Sequence, residues 1–495
     1  MLGVSEIPRP SIAWRWLGLL AAAFAVLELA TSDWYGYHRD ELYFIAIGGH
    51  PAFGYVDEPP LVPLLAHAVD AVSGHSLIWL RVPSALAGAL VVLVTGLIAR
   101  ELGGGWAEQV LAAGAMAAAG LVLGTSHLMS TTTFDLLAWT LLLWLVVRAV
   151  RDGGRIWVLV GLVAGVALEI KTLPIFLLFA LAVGVLAVGP REVFASRWLW
   201  LGAAFAVASW APNLIWQAAN GWPQLDLATS VAAGHSGSSE PRALFIPFQF
   251  LLMGPPLAPI WLAGLWVLWR DGALTRWRFL PVAYGMLVVI FIATGGKPYY
   301  LAGMYSVLFA AGAGPTLRWA RTTARRATLG TVLAVSAAIS AVVALPIVPA
   351  SALHDTPIVA MNYDAGEQVG WPAFVRTIKD AYDSLPDAQR HETIILTGNY
   401  GEAGAVLHFT PRVRPVYSGH NSLWDLGPPP ASMTAAIAIG YGRSDLRDWF
   451  QVVTPMATIE NGQHLDNDEQ GATVWMCSGP TSSWTTLWPK MRNLG

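Results

Sequence analysis

Four carboxylates stand close together after the first apolar stretch: Asp40-Glu41 in Tyr35-Gly-Tyr-His-Arg-Asp-Glu-Leu-Tyr-Phe, and Asp57-Glu58 in Tyr55-Val-Asp-Glu-Pro-Pro-Leu. A carboxylate can take a proton from a hydroxyl or help hold a cation, and two acidic pairs among aromatics and prolines provide for either. The alternative is a solvated loop whose acids cap helices. Groups able to bind an anion are few. Lys171 lies in Glu169-Ile-Lys-Thr-Leu-Pro, and Lys297 in Gly295-Gly-Lys-Pro-Tyr-Tyr, where Tyr299 and Tyr300 can donate to a phosphate. Arg81 and Arg242 are weaker candidates, weighed against contacts with lipid headgroups.

These residues need elements to hold them. Asp40 opens an amphipathic run that Gly48 and Gly49 terminate, and Pro59 and Pro60 suit the first turn of a second short helix ending near Gly74. Two interfacial helices are expected, each with acids near its N-terminal end. Lys171 falls between apolar stretches at 156–170 and 173–189, the first of which reaches only about 22 Å into a hydrocarbon core of about 30 Å. The two stretches can form a hairpin that stops short of the far surface, setting Lys171 in a cavity below it. An ionisable group at depth costs roughly 2.5–3.5 kcal/mol on insertion scales and tends to mark a functional site; snorkelling to headgroups is the alternative.

The chain as a whole supports a membrane setting. Of 495 residues, 55% are hydrophobic and only 12% charged, with a mean hydropathy of +0.52, against about 25% charged in soluble domains. Eleven stretches long enough to cross a bilayer are expected, at about 12–32, 80–100, 106–124, 130–150, 156–170, 173–189, 198–216, 243–269, 277–294, 298–315 and 329–349. Fifteen Lys and Arg between Arg9 and Arg326 fall on one side of this layout and five on the other, namely Arg39, Arg81, Lys171, Arg242 and Lys297. Positive charge collects in the cytoplasm. The expected topology therefore has a cytoplasmic N-terminus, with the acidic loop and the C-terminus outside. From residue 351 the composition changes to 9 Lys+Arg against 15 Asp+Glu. The expected division is a transmembrane domain at 1–350 and a soluble outer α/β domain at 351–495. Strands are expected at 393–397, 435–439 and 472–476, and helices at 374–384 and 444–450.

Other classes lack support. A net charge of −3 provides no basic excess for a nucleic acid, and the single Cys477 closes no internal disulfide. There is no H-E-x-x-H, Walker loop or G-x-S-x-G. Gly398-Asn-Tyr-Gly-Glu-Ala-Gly reads as a tight strand-to-helix turn, and His127 and Asp135 as partners in hydrogen bonds between helices. The competing function from another class is a polytopic transporter or lipid flippase. Such a protein is expected to carry ionisable residues near the midplane of repeated halves, and no repeat is visible.

In Arg39-Asp40-Glu41-Leu-Tyr, Asp57-Glu58-Pro59-Pro60-Leu61 and Lys297-Pro-Tyr-Tyr-Leu the chain resembles the integral-membrane glycosyltransferases of the GT-C class, in the branch of protein O-mannosyltransferases and lipid A aminoarabinose transferases. It departs from the family at Glu58, where relatives often carry a basic residue before Pro-Pro. The resemblance covers the first 350 residues in layout. It implies a GT-C-like polytopic helical fold, with a polyprenyl-phosphate-linked sugar as donor and a lipid, glycan or protein as acceptor on the outer face of the plasma membrane. Asp40 is implied as the base, with Glu41 beside it, and inversion at the sugar. Lys171, Lys297 and Tyr300 would hold the phosphate, with Tyr299, Arg81 and Arg242 as further donor-binding candidates. Asp57 and Glu58 would orient sugar hydroxyls or help bind a divalent cation. No other cofactor is implied.

Overall fold

The computed structural model describes residues 9–234, 240–413 and 415–494. Their contacts divide the chain into two compact units. One takes in the chain up to Thr31, Arg81–Trp222 and Val231–Leu345; the other takes in Ser32–Leu80, Pro223–Ser230 and the chain from Pro346 onward. The acidic loop thus belongs to the unit that contains the C-terminal segment.

The first unit is helical, and each of the eleven expected apolar stretches contributes helix to it. The count of eleven crossings is not confirmed. Among the described residues five helices are individually long and apolar enough to cross a bilayer: Trp14–Thr31, Leu77–Glu101, Thr131–Asp152, Arg197–Ala219 and Thr323–Ala344. Two further pairs qualify only together and are bent, Trp106–Ala117 with Gly120–Ser126 by 65°, and Arg242–Met253 with Pro255–Arg270 by 86°. The second bend has a local cause. Gly254 takes φ 89°, and the two prolines after it lack backbone donors, so the first helix cannot continue through them. Ile156–Leu168, Pro174–Val188 and Phe279–Thr294 are apolar but shorter. A hydropathy window sums composition and does not register such breaks.

Packing in this unit depends on small residues. Gly264 lies against the backbone of Leu308, and Gly312 against that of Ile260, so closely that a Cβ on either glycine would overlap a carbonyl. The helices Ala258–Arg270 and Tyr305–Trp319 therefore meet backbone to backbone. With no hydrophobic drive between helices in lipid, such close approach supplies the van der Waals contact that holds them together.

The second unit contains a five-stranded sheet: β1 (Thr393–Thr397), β2 (Val416–Ser418), β3 (Ala435–Ile439), β4 (Phe450–Thr458) and β5 (Thr473–Pro480), in the order β2-β1-β3-β5-β4. β1 pairs parallel with β2 and β3, while β5 runs antiparallel to β3 and β4. β1 and β3 are buried at every residue, which is why they read as continuous apolar runs. Helices at Trp371–Asp383 and Arg443–Trp449 match the expected ones within a few residues. The helix Tyr400–Phe409 follows β1 at the strand-to-helix turn read at Gly398-Asn-Tyr-Gly. The acidic loop supplies two short helices to this unit, Arg39–Gly48 and Leu61–Ser73.

Candidate active site

In the second unit the Arg39–Gly48 helix starts with a capping box. The His38 backbone N–H donates to the Glu41 carboxylate at 2.8 Å, while the His38 ring accepts from the Asp40 backbone N–H at 3.2 Å. This pattern satisfies two backbone donors that a helix start leaves without partners. Glu41 is fully buried in that position. Asp40, one residue earlier on the helix, keeps 35% of its side chain exposed. Its carboxylate accepts a hydrogen bond from the Tyr400 hydroxyl at 2.8 Å.

Tyr400 is delivered by the turn after β1. Gly398 sits so close to the Gly440 backbone that a Cβ would overlap it, and Asn399 caps the following helix in a second capping box with Glu402. Burial, and next the negative charge of Asp40, hold the Tyr400 phenol well above its ordinary pKa. It therefore remains a donor. Arg39 lies over the Tyr400 ring, 4.9 Å from its centroid, and pairs with Glu367 at 3.1 Å and Asp468 at 2.9 Å. These contacts tie the acidic loop to segments more than 300 residues away in sequence.

Asp57 sits in a hydrogen-bonded pocket. It accepts from the Tyr43 hydroxyl at 2.7 Å, Asn421 Nδ2 at 3.2 Å and the Ser422 hydroxyl at 3.4 Å. Burial pushes its pKa up to about 6, against the effect of the Tyr43 hydrogen bond. Glu58 is partly exposed, and its backbone carbonyl accepts from the Tyr55 N–H. The two acids therefore have different surroundings.

In the first unit the structure brings together Lys171, Tyr299 and Tyr300. Lys171 lies in the turn between Ile156–Leu168 and Pro174–Val188, helices of about 20 and 22 Å at the α-helical rise. Its ammonium donates to the hydroxyls of Thr132 at 3.2 Å and Thr131 at 3.4 Å. It also lies 5.6 and 5.7 Å from the ring centroids of Tyr299 and Tyr300, within cation–π range. Buried Asp135 lies one turn along the Thr131–Asp152 helix. Lys297 precedes the Pro298–Met304 turn and is partly buried. That turn is fixed by Gln249, which donates to the Pro298 carbonyl at 2.8 Å and accepts from the Tyr305 hydroxyl at 3.0 Å.

Arg81 and Arg242 are placed elsewhere. Arg81 is only 1% exposed, 3.1 Å from His127, whose other ring nitrogen is 3.3 Å from Glu28. This buried trio joins three helical segments, so Arg81 makes a contact inside the helical unit. Arg242 is exposed on a short turn ahead of Phe245.

The chain is similar to ArnT from Cupriavidus metallidurans, solved bound to undecaprenyl phosphate, with a TM-score of 0.61 and 16% identity over 94% of this chain and 98% of that one. The GT-C fold is the fold of this chain. A second GT-C structure, the archaeal oligosaccharyltransferase AglB from Archaeoglobus fulgidus in complex with an inhibitory peptide and a dolichol-phosphate, aligns with a TM-score of 0.52 and 13% identity over 86% of this chain and 69% of that one. Residues 57–216 match the family of dolichyl-phosphate-mannose-protein mannosyltransferases. That match takes in Asp57, Glu58, Arg81 and Lys171 and stops short of Asp40 and Lys297. No curated protein matches the sequence. Alongside this GT-C frame, sequence reasoning missed Tyr400, Tyr43, Ser422 and Thr131–Thr132. Tyr400 lay inside a motif read only as a turn, which it also is; the others are ordinary residues that gain a role through their neighbours.

Proposed function

We propose that this multi-pass membrane protein transfers a sugar from a polyprenyl-phosphate carrier to an acceptor hydroxyl or amine on the outer face of the plasma membrane. The observation that carries the reading is the setting of Lys171, a cation in a turn between two helices too short to span the core, flanked by threonine hydroxyls and two tyrosine rings. A phosphate monoanion or dianion in hydrocarbon needs such a partner.

The reaction is a single displacement with inversion. The acceptor oxygen or nitrogen attacks the anomeric carbon, the bond to the carrier phosphate breaks with its electron pair leaving on the phosphate, and Asp40 takes the acceptor proton. Phosphate leaves readily, so the step needs a base and positive charge more than a strong acid. Asp40 suits the base role because it is partly exposed and oriented by Tyr400. Lys171 and Lys297, with Tyr299 and Tyr300, hold the phosphate. Asp57 and Glu58 orient sugar hydroxyls. Asp57 and Glu58 would be the residues to hold a divalent cation, which would supply positive charge. Glu41 acts by fixing the Arg39–Gly48 helix.

Purified protein incubated with a panel of polyprenyl-phosphate sugars is expected to release the carrier from one of them. Lys171→Met should weaken donor binding by roughly 10- to 150-fold, the equivalent of about 1.5–3 kcal/mol for a charge-assisted contact. No release from any donor sugar, or full donor affinity in Lys171→Met, would overturn the reading.

A further inference from the structure

The second unit contains a cluster that the proposed transfer does not use. Asp70 lies near the end of the Leu61–Ser73 helix and is buried; His75 follows the helix cap; His408 is the penultimate residue of Tyr400–Phe409. One ligand atom from each lies within 4.8 Å of the other two. His75 Nδ1 is 2.7 Å from Asp70 Oδ2, while Asp70 Oδ1 and His408 Nδ1 are buried without a hydrogen-bond partner. Such atoms are costly to leave unsatisfied. An Asp–His pair alone accounts for one contact and leaves these two atoms unexplained.

The backbone supports the same assignment. Gly74 takes φ 66° and His75 takes φ 64°, a left-handed pair that is uncommon outside glycine. The turn folds His75 back over Asp70. It is held by the His75 N–H donating to the Asp70 carbonyl at 3.1 Å and by the Tyr37 hydroxyl donating to the His75 carbonyl at 2.8 Å. Tyr37 also packs on the His408 ring, with centroids 4.5 Å apart. Local strain of this kind persists only where the surroundings impose it.

We propose that Asp70, His75 and His408 bind one zinc ion. Two imidazoles and one carboxylate form a zinc-type donor set, and magnesium and calcium favour all-oxygen sites. Three donors on one zinc stand roughly 3.3 Å apart, so modest side-chain rotation brings this cluster to coordination distance. Three protein ligands leave a fourth position for water, beside the exposed His75. The ion would tie the helix that follows Asp57-Glu58-Pro-Pro to the helix that begins at Tyr400.

The test uses the full-length protein in detergent, stripped with chelator and titrated with zinc alone, with cobalt(II) as a spectroscopic substitute. His75→Asn tolerates the left-handed backbone and removes a ligand; His408→Phe keeps the ring packing. The expected result is one zinc per chain, a cobalt spectrum of His/carboxylate ligation, and affinity at least ~100-fold weaker in both variants, whose circular dichroism is unchanged. Zinc affinity unchanged from that of the unsubstituted protein in both variants, or zinc lost on Asp57→Asn and kept in His75→Asn, would overturn the assignment. The readout is metal binding, independent of sugar transfer.

Discussion

Asp40 and Glu41 are neighbours in sequence with different surroundings. Asp40 is partly exposed and receives the Tyr400 hydroxyl, whereas Glu41 is buried on the His38 N–H. Asp40→Asn keeps the shape and removes the proton acceptor, so turnover should fall by about 100-fold or more while donor binding survives. Tyr400→Phe removes only the group that orients the carboxylate. A fall of roughly 10-fold is expected, and the double variant should be no worse than Asp40→Asn alone, because the two act as one unit. Single-turnover kinetics with bound donor would check this. Near-normal turnover in Asp40→Asn would move the base to Asp57 or Glu58.

At the level of elements, the Arg39–Gly48 helix holds its place through its cap. A glutamine at Glu41 can still accept the His38 N–H, whereas alanine leaves that buried donor unsatisfied at a cost of about 1–3 kcal/mol. Glu41→Gln should therefore keep most stability and turnover, and Glu41→Ala should lose both, as read by thermal unfolding beside the activity assay. Loss of turnover in Glu41→Gln at full stability would make Glu41 a catalytic group in its own right. The Ile156–Leu168 and Pro174–Val188 pair shows what was legible at this scale: the break between its two apolar runs already indicated that Lys171 sits in the turn that joins them. The bends at 118–119 and at Gly254 were not, since apolar composition continues through them.

For the whole molecule, two buried glutamates of the second unit are shifted in the same direction. Burial raises Glu402 to about 7. Burial and the charges of Glu367 and Glu402 raise Glu469 to about 8. In the unfolded chain the glutamates ionise near 4.3. From about pH 6.5 to about 8.5 the folded state therefore binds more protons than the unfolded state, and stability falls as pH rises. Thermal unfolding should shift to lower temperature over that window, with Glu469→Gln flattening the dependence; a rising midpoint would contradict it. Topology belongs to the same scale. Cys477 is buried with its thiol raised to about 12, so a cysteine placed at exposed Asn493 should be the reactive one. Labelling in intact cells is expected; labelling only after permeabilisation would reverse the orientation.

The membrane character, the helical fold class and the C-terminal sheet were determined by the sequence, because hydropathy, charge distribution and short motifs are local properties. Tertiary structure decided what long-range contact alone can. It grouped the acidic loop at 32–80 with the C-terminal segment, because Arg39 finds its carboxylates at Glu367 and Asp468 and Asp57 finds its donors at Asn421 and Ser422. It placed Arg81 in a buried trio, and it set Tyr400 on Asp40 and His408 beside Asp70. No local pattern marks those partners, since a tyrosine or histidine acquires its role from what packs against it hundreds of residues away.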